Sequence, residues 1–197
     1  MPQVHLEPLI PDRVDEAAAV LGRAFVTNPL HEAAFGRHEE ARNRTFFRRL
    51  LRLLRGPKIV AFDGERIVGA MHWSRSDECQ MHNAAKLSLV PFMLRAFGVV
   101  TSVRLATWFG LWARHDKSTS VHLHLGPIGV DPSSQGLRIG GRLMDRFCTE
   151  VDRTKTAGYL ETDRPSNVGF YQRFGFEVLK EIEVLGVKNW LMWRVPK

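Results

Sequence analysis

The segment from Ser120 to Val130, S-V-H-L-H-L-G-P-I-G-V, alternates like a strand yet carries Gly126-Pro127 in its middle. Proline has no N–H to give a ladder, so a strand inside a sheet can hold one only at a bulge or a splay. Asp131-Pro132 then ends the strand, and Ser133-Ser134-Gln135-Gly136-Leu137-Arg138-Ile139-Gly140-Gly141-Arg142-Leu143 leads into a helix expected from about 138 to 157. Glycines let the backbone turn tightly and come close to a ligand. A helix start adds free N–H groups and a partial positive charge. Arg138 and Arg142 add formal charge. The combination suits a phosphate or pyrophosphate. The spacing is not GxxxxGK[ST], so a P-loop is out; it is not GxGxxG and follows no βαβ unit, which speaks against a dinucleotide fold. Taken alone, the loop also fits a helix capped by a glycine-rich turn.

Around this segment the elements are mixed. A short strand is expected over Val4–Leu9. A helix should open at Pro11-Asp12, capped by Asp12, and stop before Asn28-Pro29. A second helix is expected over 39–55, with Phe46, Phe47, Leu50, Leu51 and Leu54 as its apolar stripe. Its Arg44, Arg48, Arg52 and Arg55 form either a solvated face or an anion-binding one. Lys58–Phe62 and Arg66–Ser74 read as a hairpin around Asp63-Gly64. Residues 84–115 read as one or two helices broken or kinked at Pro91 and Gly98. Trp108 and Trp112 share a face there, as pocket, dimer contact or core. A strand at Tyr159–Thr162, a short helix at Asn167–Phe174 and a hairpin around Gly186 complete an α+β pattern with a largely antiparallel sheet. The 197 residues suffice for one domain with a sizeable core.

Lys and Arg number 28 against 21 Asp and Glu, a net charge of +7 that favours an anionic partner without naming it. The two cysteines, Cys79 and Cys148, form no disulfide framework or CxxC pair, which points to a reducing, cytoplasmic setting. Cys148 reads as a small apolar packer. The start shows no signal-peptide pattern. Arg95 and Arg104 interrupt the most apolar stretch, Leu87–Ala113, so no uncharged run approaches the roughly 20 residues of a membrane span. No aromatic-interleaved RNA motif appears, and nucleic acid is an unlikely partner by this reading.

The loop Gln135–Gly140 resembles motif A of the Gcn5-related N-acetyltransferases (GNAT), a Gln/Arg-x-x-Gly-x-Gly/Ala loop that binds acetyl-coenzyme A. Gln135, Ile139 and Gly140 match, and Arg138 stands where the first motif glycine belongs. Downstream, Tyr159-Leu160-Glu161-Thr162, Asn167, Phe170-Tyr171 and Phe174-Gly175-Phe176 resemble the family's motif B. The resemblance spans about 120–195; before that, only the order of elements fits. It implies a GNAT fold: a central mixed, mostly antiparallel sheet, splayed near its fourth strand and flanked by helices. The expectation is one domain over 1–197 with a helical insertion at about 84–115, similar to puromycin acetyltransferase-like members.

By this resemblance, acetyl-CoA is the co-substrate and donates its acetyl group directly to an amine in a ternary complex. Ile128, Gly129 and Val130 would lie beside the pantetheine. Gln135, Gly136, Leu137, Arg138, Ile139, Gly140, Gly141 and Arg142 would hold the pyrophosphate. Asn167 would bond the pantetheine arm, cap its helix, or both. Tyr171 would be the thiol-side acid, or else an aromatic of the core. For the base, His124 ranks first, then Glu161, His122 and His72. His122 and His124 lie two apart on one side of a strand. Each histidine also reads as an ordinary, partly buried side chain. A zinc site from His72, His122 and His124 has no supporting ligand spacing, so no metal is expected. The acceptor expected is a small, partly apolar amine. Alternatives are protein or aminoacyl-tRNA amino groups, or a non-catalytic acyl-CoA- or RNA-binding module. The chain would act as a monomer or homodimer, away from membranes.

Overall fold

The computed structural model describes residues 4–79, 83–115 and 121–197, without the side chains of 78, 79 and 83–88. Expectations for Ser120 and for the Cys79 thiol lie outside that set. The strands are β1 (His5–Pro8), β2 (Lys58–Asp63), β3 (Arg66–Arg75), β4 (His122–Val130), β5 (Ala157–Thr162), β6 (Glu177–Val184) and β7 (Val187–Arg194). They form one seven-stranded sheet in the order β1-β2-β3-β4-β5-β7-β6. The β4–β5 pair is parallel and the other described pairs are antiparallel. The helices are α1 (Val14–Ala24), α2 (Pro29–Phe35), α3 (Glu40–Leu53), α4 (Ser76–Cys79), α5 (Asn83–His115), α6 (Ile139–Thr154) and α7 (Pro165–Gln172).

Strand alternation sorts the core into two layers. Leu123, Leu125, Met71, Trp73, Leu160 and Met192 pack with Ile139, Leu143, Met144, Phe147 and Val151 of α6. Burying each of these α6 side chains contributes about 1.5–3 kcal/mol. The second layer joins Val20 and Leu21 of α1, Phe46, Phe47 and Leu51 of α3, and Phe97, Leu105 and Trp108 of α5. Cys148 is buried, and burial pushes its thiol up to about 11, in keeping with an apolar packer.

The proline in the fourth strand does what its chemistry requires. Gly126-Pro127 is a cis peptide. Met71 pairs with Ile128 and Trp73 with Leu125, so Gly126 and Pro127 bulge opposite the single residue His72. The parallel ladder holds only at His122↔Ala157, Leu123↔Gly158 and His124↔Tyr159, while β4 stays paired to β3 as far as Val130↔Gly69. Beyond His124 and Tyr159 the two strands therefore part and leave a slot.

Several expectations are corrected. Asp12 caps no α-helix: Pro11–Arg13 forms a 3-10 turn, and α1 starts at Val14 with Arg13 at its cap position. Asn28 does more than stop α1, for its side chain accepts from His31 N and caps α2, a helix the sequence reading lacked. Asn28-Pro29 is both a stop and a start signal, since proline suits the first position of the next helix. Asn167 is not a cap: it lies within α7, whose cap position is Arg164. The expected break in 83–115 is borne out at Gly98, whose φ of 75° and ψ of 175° are not helical, while Pro91 lies inside the helix before it. By length and composition, Leu89–His115 is apolar enough to cross a membrane. Arg95, Arg104 and Arg114 still interrupt it, so no uncharged run of that length exists, in keeping with the sequence. Of the α3 arginines, Arg44 and Arg48 are exposed, and Arg52 pairs with Asp15 at 3.0 Å.

Candidate active site

The loop after β4 is ordered by Asp131. Its carboxylate accepts from Ser133 N (3.1 Å), from Ser133 Oγ (2.7 Å) and from Arg23 of α1 (2.6 and 2.9 Å). Burial works against ionisation there, but the bonds from Ser133 and Arg23 prevail and hold the carboxyl below its ordinary range. Gln135 Nε2 returns to Val130 O at 3.3 Å. Arg138 sits at the α6 cap position with φ 59°, in the left-handed region, and makes no side-chain cap. This explains why a glycine would be at home here; a non-glycine residue costs about 1 kcal/mol or more in that conformation. The first N–H to close a helical bond is Arg142 N to Arg138 O, at 3.1 Å. The N–H groups of Ile139, Gly140 and Gly141 thus precede the helical ladder and remain available to an anion.

A groove of about 820 Å³ collects this loop. Its lining includes Ile128, Gly129, Val130, Gln135, Gly136, Arg138, Ile139, Gly140, Gly141, Arg142, Asn167 and Tyr171. The lining lacks Leu137, which is exposed. Arg142 reaches the groove wall, but its guanidinium donates to Val4 O. Asp131 N donates to Val68 O on β3 at 2.9 Å. Strand alternation then turns the N–H and C=O of Val130 and Ile128 away from β3, toward the open slot.

A second cavity of about 750 Å³ opens under α3 and α5. The two share Phe25, Asn28, Ile128, Asn167 and Tyr171, so they meet at the mouth of the slot. The second is walled by Phe46, Phe47, Phe92, Trp108, Phe109 and Trp112, and floored by His72, His124 and Glu161 of the sheet and Asp163 just after β5. Trp108 and Trp112 meet edge to face at 5.2 Å. They are therefore core and cavity wall at once.

On that floor, His124 Nε2 donates to Glu161 Oε2 at 2.7 Å. The Glu161 side chain is 2% exposed and that of His124 22%. The other carboxylate oxygen, Oε1, is buried without a hydrogen-bond partner among the described residues. A buried, half-satisfied carboxylate in a cavity is costly and stands ready for a donor. Tyr171 is 7% exposed, and burial drives its phenol above the usual range, so it is protonated at neutral pH. Asp163 accepts from Asn28 Nδ2 and Leu30 N, both at 2.7 Å, and fastens the start of α2 to β5. Burial raises its carboxyl.

The other histidines fall elsewhere. His72 is on the floor, but Nδ1 faces Gly126 O (2.9 Å) and Nε2 faces Arg55 O (2.6 Å), so both nitrogens are committed to the backbone. Burial lowers its pKa. His122 is fully buried against Tyr159 and Trp193 and is not among the cavity lining. His31, which sequence reasoning passed over, lies in the cavity wall among Phe25, Phe47 and Trp108. Burial lowers its pKa to about 4 despite the bond to Asn43. The cap signal at Asn28-Pro29 was the available pointer to α2 and hence to His31.

A splayed mixed sheet with a glycine-rich loop after its fourth strand and a cavity on the far side of the splay is the GNAT fold. Residues 98–178 match the family described as Acetyltransferase (GNAT) domain. Similar solved structures cover nearly the whole chain. An acetyltransferase related to histone acetyltransferase HPA2, from Corynebacterium glutamicum, has a TM-score of 0.74 at 20% identity, over 98% of this chain and 97% of that one. Arylalkylamine N-acetyltransferase 2 from Aedes aegypti has a TM-score of 0.68 at 14% identity, over 99% and 100%. A GNAT family acetyltransferase from Brucella melitensis, solved in complex with acetyl-CoA, has a TM-score of 0.53 at 17% identity, over 99% and 89%. The family match is confined to residues 98–178, and over nearly its whole length the chain shares the fold of these acetyltransferases.

Proposed function

We propose that this chain, as a single domain with α5 as its insertion, N-acetylates a small, largely apolar amine by direct transfer from acetyl-CoA. The observation that carries the proposal is the meeting of two unlike cavities at Ile128 and Tyr171. One offers backbone N–H groups and Arg138 to a pyrophosphate; the other offers aromatic walls and a buried carboxylate to an amine. The thioester would lie at the junction.

In this reading an incoming ammonium gives a proton to Glu161, whose Oε1 is the unsatisfied acceptor, while His124 holds Oε2. The free amine attacks the thioester carbonyl, forming the C–N bond. The oxyanion draws an N–H of the slot-facing β4 backbone, at Ile128 or Val130. Collapse breaks the C–S bond, Tyr171 gives its proton to the leaving thiolate, and the second proton of the attacking nitrogen passes to the phenolate, leaving a neutral amide and a restored Tyr171. Asn167 lies beside Tyr171 on the same wall and suits the pantetheine arm. His72 and His122 have no part in the transfer. The few cysteines suit a reducing, cytoplasmic setting.

The test is thermal unfolding with acetyl-CoA and CoA, against ATP and NAD. A ligand at a hundred times its Kd stabilises by about 2.7 kcal/mol. A shift with the CoA pair alone, followed by thiol release with an apolar primary amine, is the expected result. Tyr171→Phe should keep the shift and lose turnover by at least about tenfold. No CoA-dependent shift sinks the proposal; full turnover by Tyr171→Phe removes the tyrosine from it.

A further inference from the structure

The unpaired buried polar atoms of the acceptor cavity fall into an acceptor on the floor and donors on the roof. Three buried side-chain atoms on its wall lack a hydrogen-bond partner among the described residues: Glu161 Oε1, Arg49 Nε and Trp108 Nε1. The acceptor, Glu161, stands on the sheet floor. The two donors stand on the helices that roof the cavity, Arg49 on α3 and Trp108 on α5. The carboxylates of the lining, Glu161 and Asp163, both belong to the β5 end of the floor; Arg49 is its arginine. No described carboxylate pairs with Arg49. Its guanidinium lies over the Phe92 ring at 5.3 Å, a contact that orients the group. Trp108 is 3% exposed, and a buried indole N–H ordinarily finds a partner.

We propose that the acceptor amine carries a carboxylate, separated from the amino group by an apolar, preferably aromatic, spacer. The inference rests on the acetyltransferase reading above and names the substrate class for that same site. The ammonium end meets Glu161 on the sheet. The spacer lies among Phe46, Phe92 and Trp108. The carboxylate accepts from Arg49 and from the Trp108 indole, and all three orphaned atoms are satisfied at once. An amine without the anionic end leaves the two donors dry and unpaired, the situation in which discrimination is strongest.

The experiment compares 4-(aminomethyl)benzoate with 4-methylbenzylamine, a pair that differs in the anion alone. It reads kcat/KM by thiol release for the wild type, Arg49→Met and Arg49→Lys. Methionine keeps the stem that packs on Phe92. The wild type should prefer the carboxylate by at least about tenfold, and Arg49→Met should cut that preference by about 10- to 100-fold. Arg49→Lys should restore part of it, and raised salt should lower it in the wild type. An equal rate for both probes in the wild type, or a preference unchanged in Arg49→Met, overturns the carboxylate inference while the acetyltransferase reading stands. If neither probe is acetylated although acetyl-CoA raises the unfolding temperature, the small-amine reading falls and this one with it.

Discussion

Replacing Glu161 by glutamine probes the site at its most constrained point. The side chain is 2% exposed, bonds His124 at 2.7 Å through one oxygen, and leaves the other unpaired. Glutamine has nearly the same shape, so it opens no cavity and strains no neighbour. It can still bond His124, but its amide accepts no proton at neutral pH. A positioned general base is worth about 10²- to 10⁴-fold, or about 2.7–5.5 kcal/mol of barrier. Loss of one charge-assisted bond changes stability by about 1–2 kcal/mol, offset in part because the neutral amide is cheaper to bury. For a chain this long, 1 kcal/mol moves Tm by about 2–4 °C. The expected result is a kcat at least about 100-fold lower, a Tm within about 4 °C of wild type, and an unchanged acetyl-CoA shift. Assays at saturating amine by thiol release, with calorimetry of the same preparation, give both numbers. His124→Asn should be milder, and the double variant little worse than Glu161→Gln alone, because groups that act as a unit do not add. A Glu161→Gln kcat within threefold of wild type would refute the assignment and place the base elsewhere.

Two further predictions concern the frame of the site. At Gly129, a Cβ would stand 3.0 Å from both Ala24 Cβ and Leu21 Cδ2 on α1, so Gly129→Val should overpack that contact and cost about 1–3 kcal/mol, with weaker acetyl-CoA binding; an unchanged Tm would show that α1 gives way freely. At the far end, Arg194 is 3% exposed and held by both oxygens of Asp152 at 2.8 Å, so Asp152→Asn leaves a buried guanidinium half-paired and should cost about 2–4 kcal/mol at pH 7. The Arg194 bonds hold the Asp152 carboxyl at about 2, below its unfolded value of 3.8. A depressed carboxyl stabilises the fold above the unfolded pKa and ceases to do so as pH falls through the folded one. The gap between wild type and Asp152→Asn in urea should therefore close between about pH 4 and pH 2; a gap that persists at pH 2 would contradict the pairing.

What could be read in the sequence was local. Gly126-Pro127 announces a strand that cannot pair evenly, and Gln135–Gly141 announces a tight glycine-rich turn into a helix, because each signal lies within a few consecutive residues. The Arg138 backbone conformation was foreshadowed by the glycine its position suits, and the partner of His124 was already a candidate by resemblance. Tertiary structure decided which candidates meet. His72, His122 and His124 look alike in sequence, yet the nitrogens of His72 face carbonyls of Gly126 in the bulge and of Arg55 after α3, and His122 is buried against Tyr159. Arg142 looked like Arg138 until its guanidinium turned to Val4. Arg49 was one arginine of a helical stripe, and only the fold of α5 over α3 set it on Phe92 at a cavity wall. Turns and ladders follow from neighbours along the chain. The company a side chain keeps depends on residues a hundred positions away, as Asn28 and Asp163 do on each other, and that is settled only when the sheet and its helices close.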